Sequence, residues 1–100
     1  MAELRVLLHA PTPAALQRAR SNAVNLRASA SQVQVRIIAN SSAVEKAVGE
    51  PDPGTDTCLT LCQNSLRKHG VEAPGEVDVT PAAILLIVEL QQQGWIYIRA

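Results

Sequence analysis

Apolar and polar positions fall into blocks along this chain, and the blocks change period. Leu4 to Ala10 (LRVLLHA) is an apolar run broken by Arg5, the pattern of a strand buried on both faces. Thr12 then offers a helix cap and Pro13 suits the first helical position. Leu16, Ala19, Ala23 and Leu26 recur at helical spacing, with Gln17, Arg18, Arg20 and Arg27 off that face. That helix should fade near Ala28 to Ser31. Val33 to Ala39 predicts a second strand. Ser42 and Glu45 stand at capping-box spacing, and Val44, Ala47 and Val48 give a short helix stopped by Gly49.

The next stretch, GEPDPGTD (Gly49 to Asp56), reads as a loop. Thr57 to Cys62 predicts a third strand, followed by a helix opening at Asn64 or Ser65. Arg67, Lys68 and His69 before Gly70 mark its end. Glu72 to Glu76 form another loop, and Val77 to Val79 a brief fourth strand. Thr80 and Pro81 repeat the threonine–proline helix entry. A helix then runs from Ala82 to about Gln93 and stops at Gly94, and Trp95 to Ile98 is the last strand.

Strands and helices thus alternate with short connections, which predicts an α/β domain with a mainly parallel five-stranded sheet covered by helices on both faces. One hundred residues make one domain, 1–100, with nearly half its residues apolar. The aromatics are Trp95 and Tyr97 alone, so Ala, Val, Leu and Ile must build the core. The last helix is apolar nearly all the way round from Ala82 to Leu90. In so small a domain its outer face finds cover against another copy, which predicts self-association.

Nine basic and nine acidic residues cancel, and no basic stripe or aromatic platform is present, so nucleic acid is not an expected partner. Glu3 and Arg5 interrupt the apolar run near the N-terminus, unlike a signal peptide, and the run from Ala82 to Val88 is too short to span a bilayer. A cytosolic protein with reduced thiols is the expectation. On one extended strand Cys58 and Cys62 would stand about 13 Å apart, beyond the roughly 7 Å a disulfide allows. His9 and His69 are isolated, so no metal site is expected.

Cys62 is the leading candidate for chemistry. A thiol between a strand end and a helix start meets unpaired N–H groups and the positive end of the helix dipole, which favour the reactive thiolate. Ligands of open parallel sheets bind at the carboxyl ends of strands, and those ends carry His9, Asn40, Cys62 and Thr80, with Asn64 and Ser65 just beyond. Arg67 and Lys68 would raise the local potential. Each has a plainer role too: cysteine as a small core residue, Asn64 as a helix cap, His9 as a strand-end hydrogen-bonder, Arg67 as a solvated helix end. Cys58 reads as core and His69 as a helix terminus. The chain lacks Cys-x-x-Cys, a glycine-rich phosphate loop and a strand-end acidic cluster, which argues against a thioredoxin-type dithiol, nucleotide binding and a phospho-acceptor. Cys62 and Arg67 have the cysteine-to-arginine spacing of a rhodanese loop, without its glycines.

The motif Cys62, Asn64, Ser65, Leu66, Arg67, His69, Gly70 resembles the DsrE/DsrF-like family, as do the opening LRVLLHA, the threonine–proline entry with Asn22 and Asn25 beyond it, and the close Gln92 to Ile98. The resemblance covers nearly the whole chain. A departure is the short, proline-rich segment before Thr57. The resemblance implies a three-layer α/β/α sandwich, a trimer or hexamer, and sulfur relay with sulfane sulfur carried as a persulfide on Cys62, without a bound cofactor. Donor and acceptor proteins would be its partners, with His9, Asn40, Asn64, Ser65, Arg67 and Thr80 in support. A non-catalytic oligomeric module with a structural Cys62, and a rhodanese-type sulfurtransferase, stand as alternatives.

Overall fold

The computed structural model describes residues 3–100. The elements are β1 (Leu4–Ala10), α1 (Pro13–Ser29), β2 (Val33–Ala39), α2 (Ala43–Gly49), α3 (Pro53–Asp56), β3 (Leu59–Cys62), α4 (Gln63–His69), β4 (Asp78–Thr80), α5 (Ala83–Gln92) and β5 (Ile96–Arg99). The five strands form one parallel sheet in the order β4-β3-β2-β1-β5. The architecture is the three-layer α/β/α sandwich.

The two helical layers are unequal. Helices α1, α2 and α4 pack on one face, where Leu16, Ala19, Ala23, Val44, Ala47 and Leu66 meet Val6, Leu8, Val35, Ile37, Leu59 and Leu61. Helix α5 alone covers the other face, through Ala83, Ile87 and Leu90 against Leu7, Ile38 and Cys62. The side chains of α1 are small because it lies close on β1 and β2. The outer face of α5 leaves Ile84 67%, Leu85 58% and Val88 46% exposed.

This division follows from connectivity. The chain steps from β1 to β4 across the sheet, with its crossover helices on one side, and then returns through α5 on the opposite side to place β5 beside β1. The connections leaving β3 and β4 therefore diverge to opposite faces. Such a divergence opens a crevice at the carboxyl ends of the two strands, and here those ends are Cys62 and Thr80, which pair across the ladder.

Several local expectations are corrected. The capping box of α2 does not form: Ser42 is itself helical, and the Glu45 carboxylate turns to His69 Nδ1 at 2.5 Å. The segment expected to be a plain loop holds the single turn α3, because Pro53 starts it and Asp52 Oδ2 accepts the Thr55 hydroxyl at 2.6 Å. Arg20 holds that turn to α1 through Asp56 at 3.4 Å. Cys58 lies outside the strand, in the turn closing α3, with its N–H and its thiol both directed at Thr55 O. Both cysteines are free thiols. Thr80 stays in the ladder, so it cannot cap α5; Ala82 occupies the N-cap. The N–H of Trp95 closes the end of α5 on Leu90 O, which delays β5 to Ile96.

Gly94 makes that last turn possible. It has φ +93°, and a Cβ there would lie 2.7 Å from Arg5 Nη2. Arg5 donates to Gln93 O at 2.6 Å and lies over the Trp95 ring at 5.9 Å, which fastens the end of α5 to β1.

Candidate functional site

Cys62 ends β3 and is the N-cap of α4, with extended backbone at φ −81°, ψ 119°. Asn64 is therefore within the first turn of α4 rather than its cap. The Cys62 side chain points to the α5 face and is only 6% exposed. It is thus packed among Ile38, Ala83 and Ile87 rather than standing open in a crevice. The N–H of Ala83, the first residue of α5, donates to its sulfur at 3.5 Å. The start of α4 supplies further positive dipole ends from Ser65 N–H, the Ser65 hydroxyl and Asn64 N–H, without a cap bond. Burial alone would push this thiol up. The hydrogen-bond donors, Ala83 first, outweigh it, and the Cys62 thiol sits below the usual cysteine value. Neutral donors from two diverging helices do this, not the Arg67 or Lys68 side chains, which are exposed on α4.

Cys58 shows the opposite balance. Burial dominates and raises its thiol, with Arg27 opposing only in part. The two cysteines differ because Cys62 meets the starts of two helices and Cys58 a half-buried turn.

Ser65 is itself held in place. Its hydroxyl oxygen accepts the Ser41 N–H at 2.7 Å. Ser41 has φ +51°, a left-handed conformation unusual for a residue with a Cβ. That conformation aims its amide from the β2–α2 turn at the start of α4.

The sheet order places Thr80, Cys62, Asn40 and His9 on four successive strands, or just beyond their ends, at one edge of the sheet. They do not form one bonded cluster. His9 uses Nε2 on Asn40 Oδ1 at 2.9 Å and Nδ1 on the Tyr97 hydroxyl at 2.6 Å. The His9 and Tyr97 rings are tilted, with centroids 5.7 Å apart. Asn40 follows Ala39, which pairs with Leu61, so it lies level with Cys62. Arg67 lines a shallow crevice of about 250 Å³ with Gln63, Asn64, Val79 and Pro81, beside the Cys62 end of β3.

Ala83, Ser41 and Tyr97 are the site residues that sequence patterns miss. Ala83 acts through its main chain, and Ser41 through a torsion angle, so neither has a side-chain signature. Tyr97 falls in a strand 88 residues from His9. Another hollow, of about 340 Å³, lies between α1 and β5, lined by Leu8, Asn22, Asn25, Leu26, Ser29 and Ile98. Its lining has the Ser29 hydroxyl but no thiol, imidazole or charged group to activate it.

No family model matches the chain, and no curated protein matches it. A solved structure does: a protein of unknown function, MTH1491, from Methanobacterium thermoautotrophicum. It is 27% identical, with a TM-score of 0.82, over 98% of this chain and 100% of that one. The likeness extends through the whole sandwich, so the arrangement of strands that sets Cys62 beside the start of α5 belongs to a shared architecture.

Proposed function

We propose that this protein carries sulfane sulfur as a persulfide on Cys62, within a cytoplasmic homo-oligomer. The observation that carries the reading is the lowered thiol of Cys62, placed where the connections from β3 and β4 diverge and met by N–H donors from α4 and α5. The thiolate is the attacking form of cysteine, and its ionised fraction sets part of the exchange rate. A thiolate stabilised by neutral amides keeps that form without an adjacent base.

The motif from Cys62 to Gly70 supports the same reading through its resemblance to DsrE/DsrF-like proteins. Sulfur would arrive from a donor persulfide and leave to an acceptor thiol. Because Cys62 is packed beneath the start of α5, loading requires the turn Thr80 to Ala82 to shift aside. Ser65 and Asn64 would steady the anion, Thr80 would border the entry, and Arg67 would attract an anionic donor from the adjoining crevice. Self-association, as trimer or hexamer, would cover Ile84, Leu85 and Val88 of α5. Among the described residues no helix is long and apolar enough to cross a membrane.

The test is to incubate the protein with a persulfide donor and weigh the intact chain. Wild type should gain the mass of one sulfur atom, and Cys62→Ser should not. No gain on wild type, or an equal gain on Cys62→Ser, removes the proposal.

One observation favours a second reading. Cys62 is 6% exposed and belongs to an apolar cluster, as in a non-catalytic oligomeric module whose cysteine fills space. A Cys62 thiol that resists alkylation in the folded protein while Cys58 reacts would select that reading.

A further inference from the structure

We propose that β5 is a pairing edge for a second copy of this chain, the two β5 strands joining antiparallel across a two-fold axis at Ile98 so that two sheets become one. This goes beyond the carrier reading and does not depend on sulfur. β5 ends the sheet on the side of β1, and among the described residues no strand pairs with its outer side.

The main chain of β5 decides which groups are free. The Ala100 N–H donates to His9 O at 2.9 Å. In a ladder the N–H and C=O groups of successive residues point to alternate sides of the strand. Ile96, Ile98 and Ala100 therefore turn theirs toward β1, and Tyr97 and Arg99 turn theirs outward. Among the described residues no main-chain partner meets the outward groups. The side chains are uncovered on both faces as well, with Ile96 50%, Tyr97 38% and Ile98 40% exposed. Helix α5 buries Leu7, Ile38 and Cys62 of β1, β2 and β3, and α1 leaves an open hollow beside Ile98. Neither helical layer roofs β5, so another sheet can approach its edge without a clash.

The opposite edge of the sheet is built differently. β4 has three residues, carries Asp78 and runs into Pro81. A short strand, a charge and a proline are the features that keep an edge from pairing. β5 reads IYIR, without proline or an acidic residue. With one edge guarded and the other open, association through β5 closes at two copies and does not run on as a filament.

The outward groups fix the register. Opposed residues of an antiparallel pair exchange both hydrogen bonds when their N–H and C=O groups face each other. Tyr97 therefore stands opposite Arg99 of the partner subunit, and Arg99 opposite the partner's Tyr97. Ile98 meets the partner's Ile98 at the two-fold, in the closer, non-hydrogen-bonded kind of pair. The side chains agree with this register on both faces. Tyr97 and Arg99 are level with Leu7 and His9, on the α5 face; Ile96 and Ile98 are level with Val6 and Leu8, on the α1 face. A guanidinium thus faces an aromatic ring, and aliphatic faces aliphatic. The alternatives are poorer. Tyr97 on the partner's Tyr97 would set Arg99 against Trp95, whose N–H is already bonded to Leu90 O. Arg99 on the partner's Arg99 would oppose like charges.

Four residues a side fall well short of the roughly 20–30 a side of a standard interface. The pair is therefore weak and forms as concentration rises, apart from any assembly through Ile84, Leu85 and Val88 of α5.

The experiment follows amide hydrogen exchange of the full chain by NMR in dilute and in concentrated solution. At about 1 mM, the Tyr97 and Arg99 N–H groups should exchange at least about threefold more slowly than in dilute protein. The Ile98 N–H, turned to β1, should be slow in both. Ile98→Lys and Ile98→Glu each set like charges together at the two-fold, and each should remove the slowing. An equal mixture of the two sets Lys against Glu and should restore it, which a variant that merely misfolds would not do. Rapid exchange of both amides in concentrated wild type overturns the inference. So does slowing that persists in Ile98→Lys, or a mixture that behaves as its separate components. Slowing that appears only when a different protein is added marks a foreign strand on this edge and overturns it too. None of these outcomes bears on whether Cys62 takes sulfur.

Discussion

The main-chain N–H of Ala83 meets the Cys62 sulfur at 3.5 Å and joins the first residue of α5 to the N-cap of α4. These two residues are 21 apart in sequence, and their helices lie on opposite faces of the sheet. The bond exists because the connections leaving β3 and β4 go to opposite faces of the sheet, so α4 and α5 start side by side.

That relationship sets the ionisation of the two cysteines apart. The thiolate absorbance of Cys58→Ser, which retains Cys62, should fall with decreasing pH through a midpoint below the free value of about 8.5. Cys62→Ser, which retains Cys58, should titrate above it, because burial dominates there. Ser65→Ala should move the Cys62 midpoint upward, because it removes one of the donors that lower this thiol. The sign for stability follows. A thiol with a lowered folded value leaves more protons on the unfolded chain between the folded and unfolded midpoints, so stability rises with pH across that window. Chemical unfolding should show the rise in Cys58→Ser and not in the variant lacking both cysteines. A Cys62 midpoint at or above the free value would remove the basis for an activated sulfur.

Gly94→Ala tests the closure at the other end of α5. Its φ of +93° and the 2.7 Å approach to Arg5 both oppose a methyl group. Gly70→Ala, at φ +65° with open space around it, suffers the backbone effect alone, about 1–2 kcal/mol. Urea unfolding should show the larger loss for Gly94→Ala. In an Arg5→Ala background the excess should shrink to what the φ of +93° alone imposes, because the group that clashes is gone.

The outer face of α5 yields a prediction on assembly. Leu85→Glu combined with Ile84→Lys should shift the gel-filtration volume of the protein to that of a single chain with the helix content unchanged. Ile87→Ala, on the buried side, should instead cost about 2–5 kcal/mol of folding stability and leave the assembly size as it is. Wild type eluting as a monomer at micromolar concentration would exclude self-association through this helix.

Much of the sandwich is legible in the pattern of side chains. Leu4 to Ala10 and Val33 to Ala39 are strands with the expected ends, because their runs of Val, Leu and Ile suit strands buried in the middle of a parallel sheet. Thr12 caps α1 through Ala15 N–H as its position implies. The failures share a cause: tertiary partners outcompete local ones. Thr80 has the same sequence context as Thr12, yet the ladder to Cys62 claims its backbone. Glu45 is at capping spacing, yet His69 is the nearer partner. Cys62 was visible as a strand-end thiol. Its shielding by α5 was not, since that depends on which face the helix after β4 occupies. The links from Ser41 to Ser65 and from His9 to Tyr97 arise from a torsion angle and from strand order, and neither leaves a mark in one sequence.

The neighbour of β1 on its outer side is the last strand of the fold. Val6 to His9 pair with Ile96 to Arg99, some ninety residues further along the chain. Closing so long a loop is entropically slow relative to local contacts, so docking of β5 belongs late in folding. The same event delivers Tyr97 to His9 and draws α5 across the Cys62 sulfur. A partly folded chain would therefore have a bare Cys62 thiol and a His9 without its Tyr97 partner, and shielding of the sulfur would coincide with completion of the sheet.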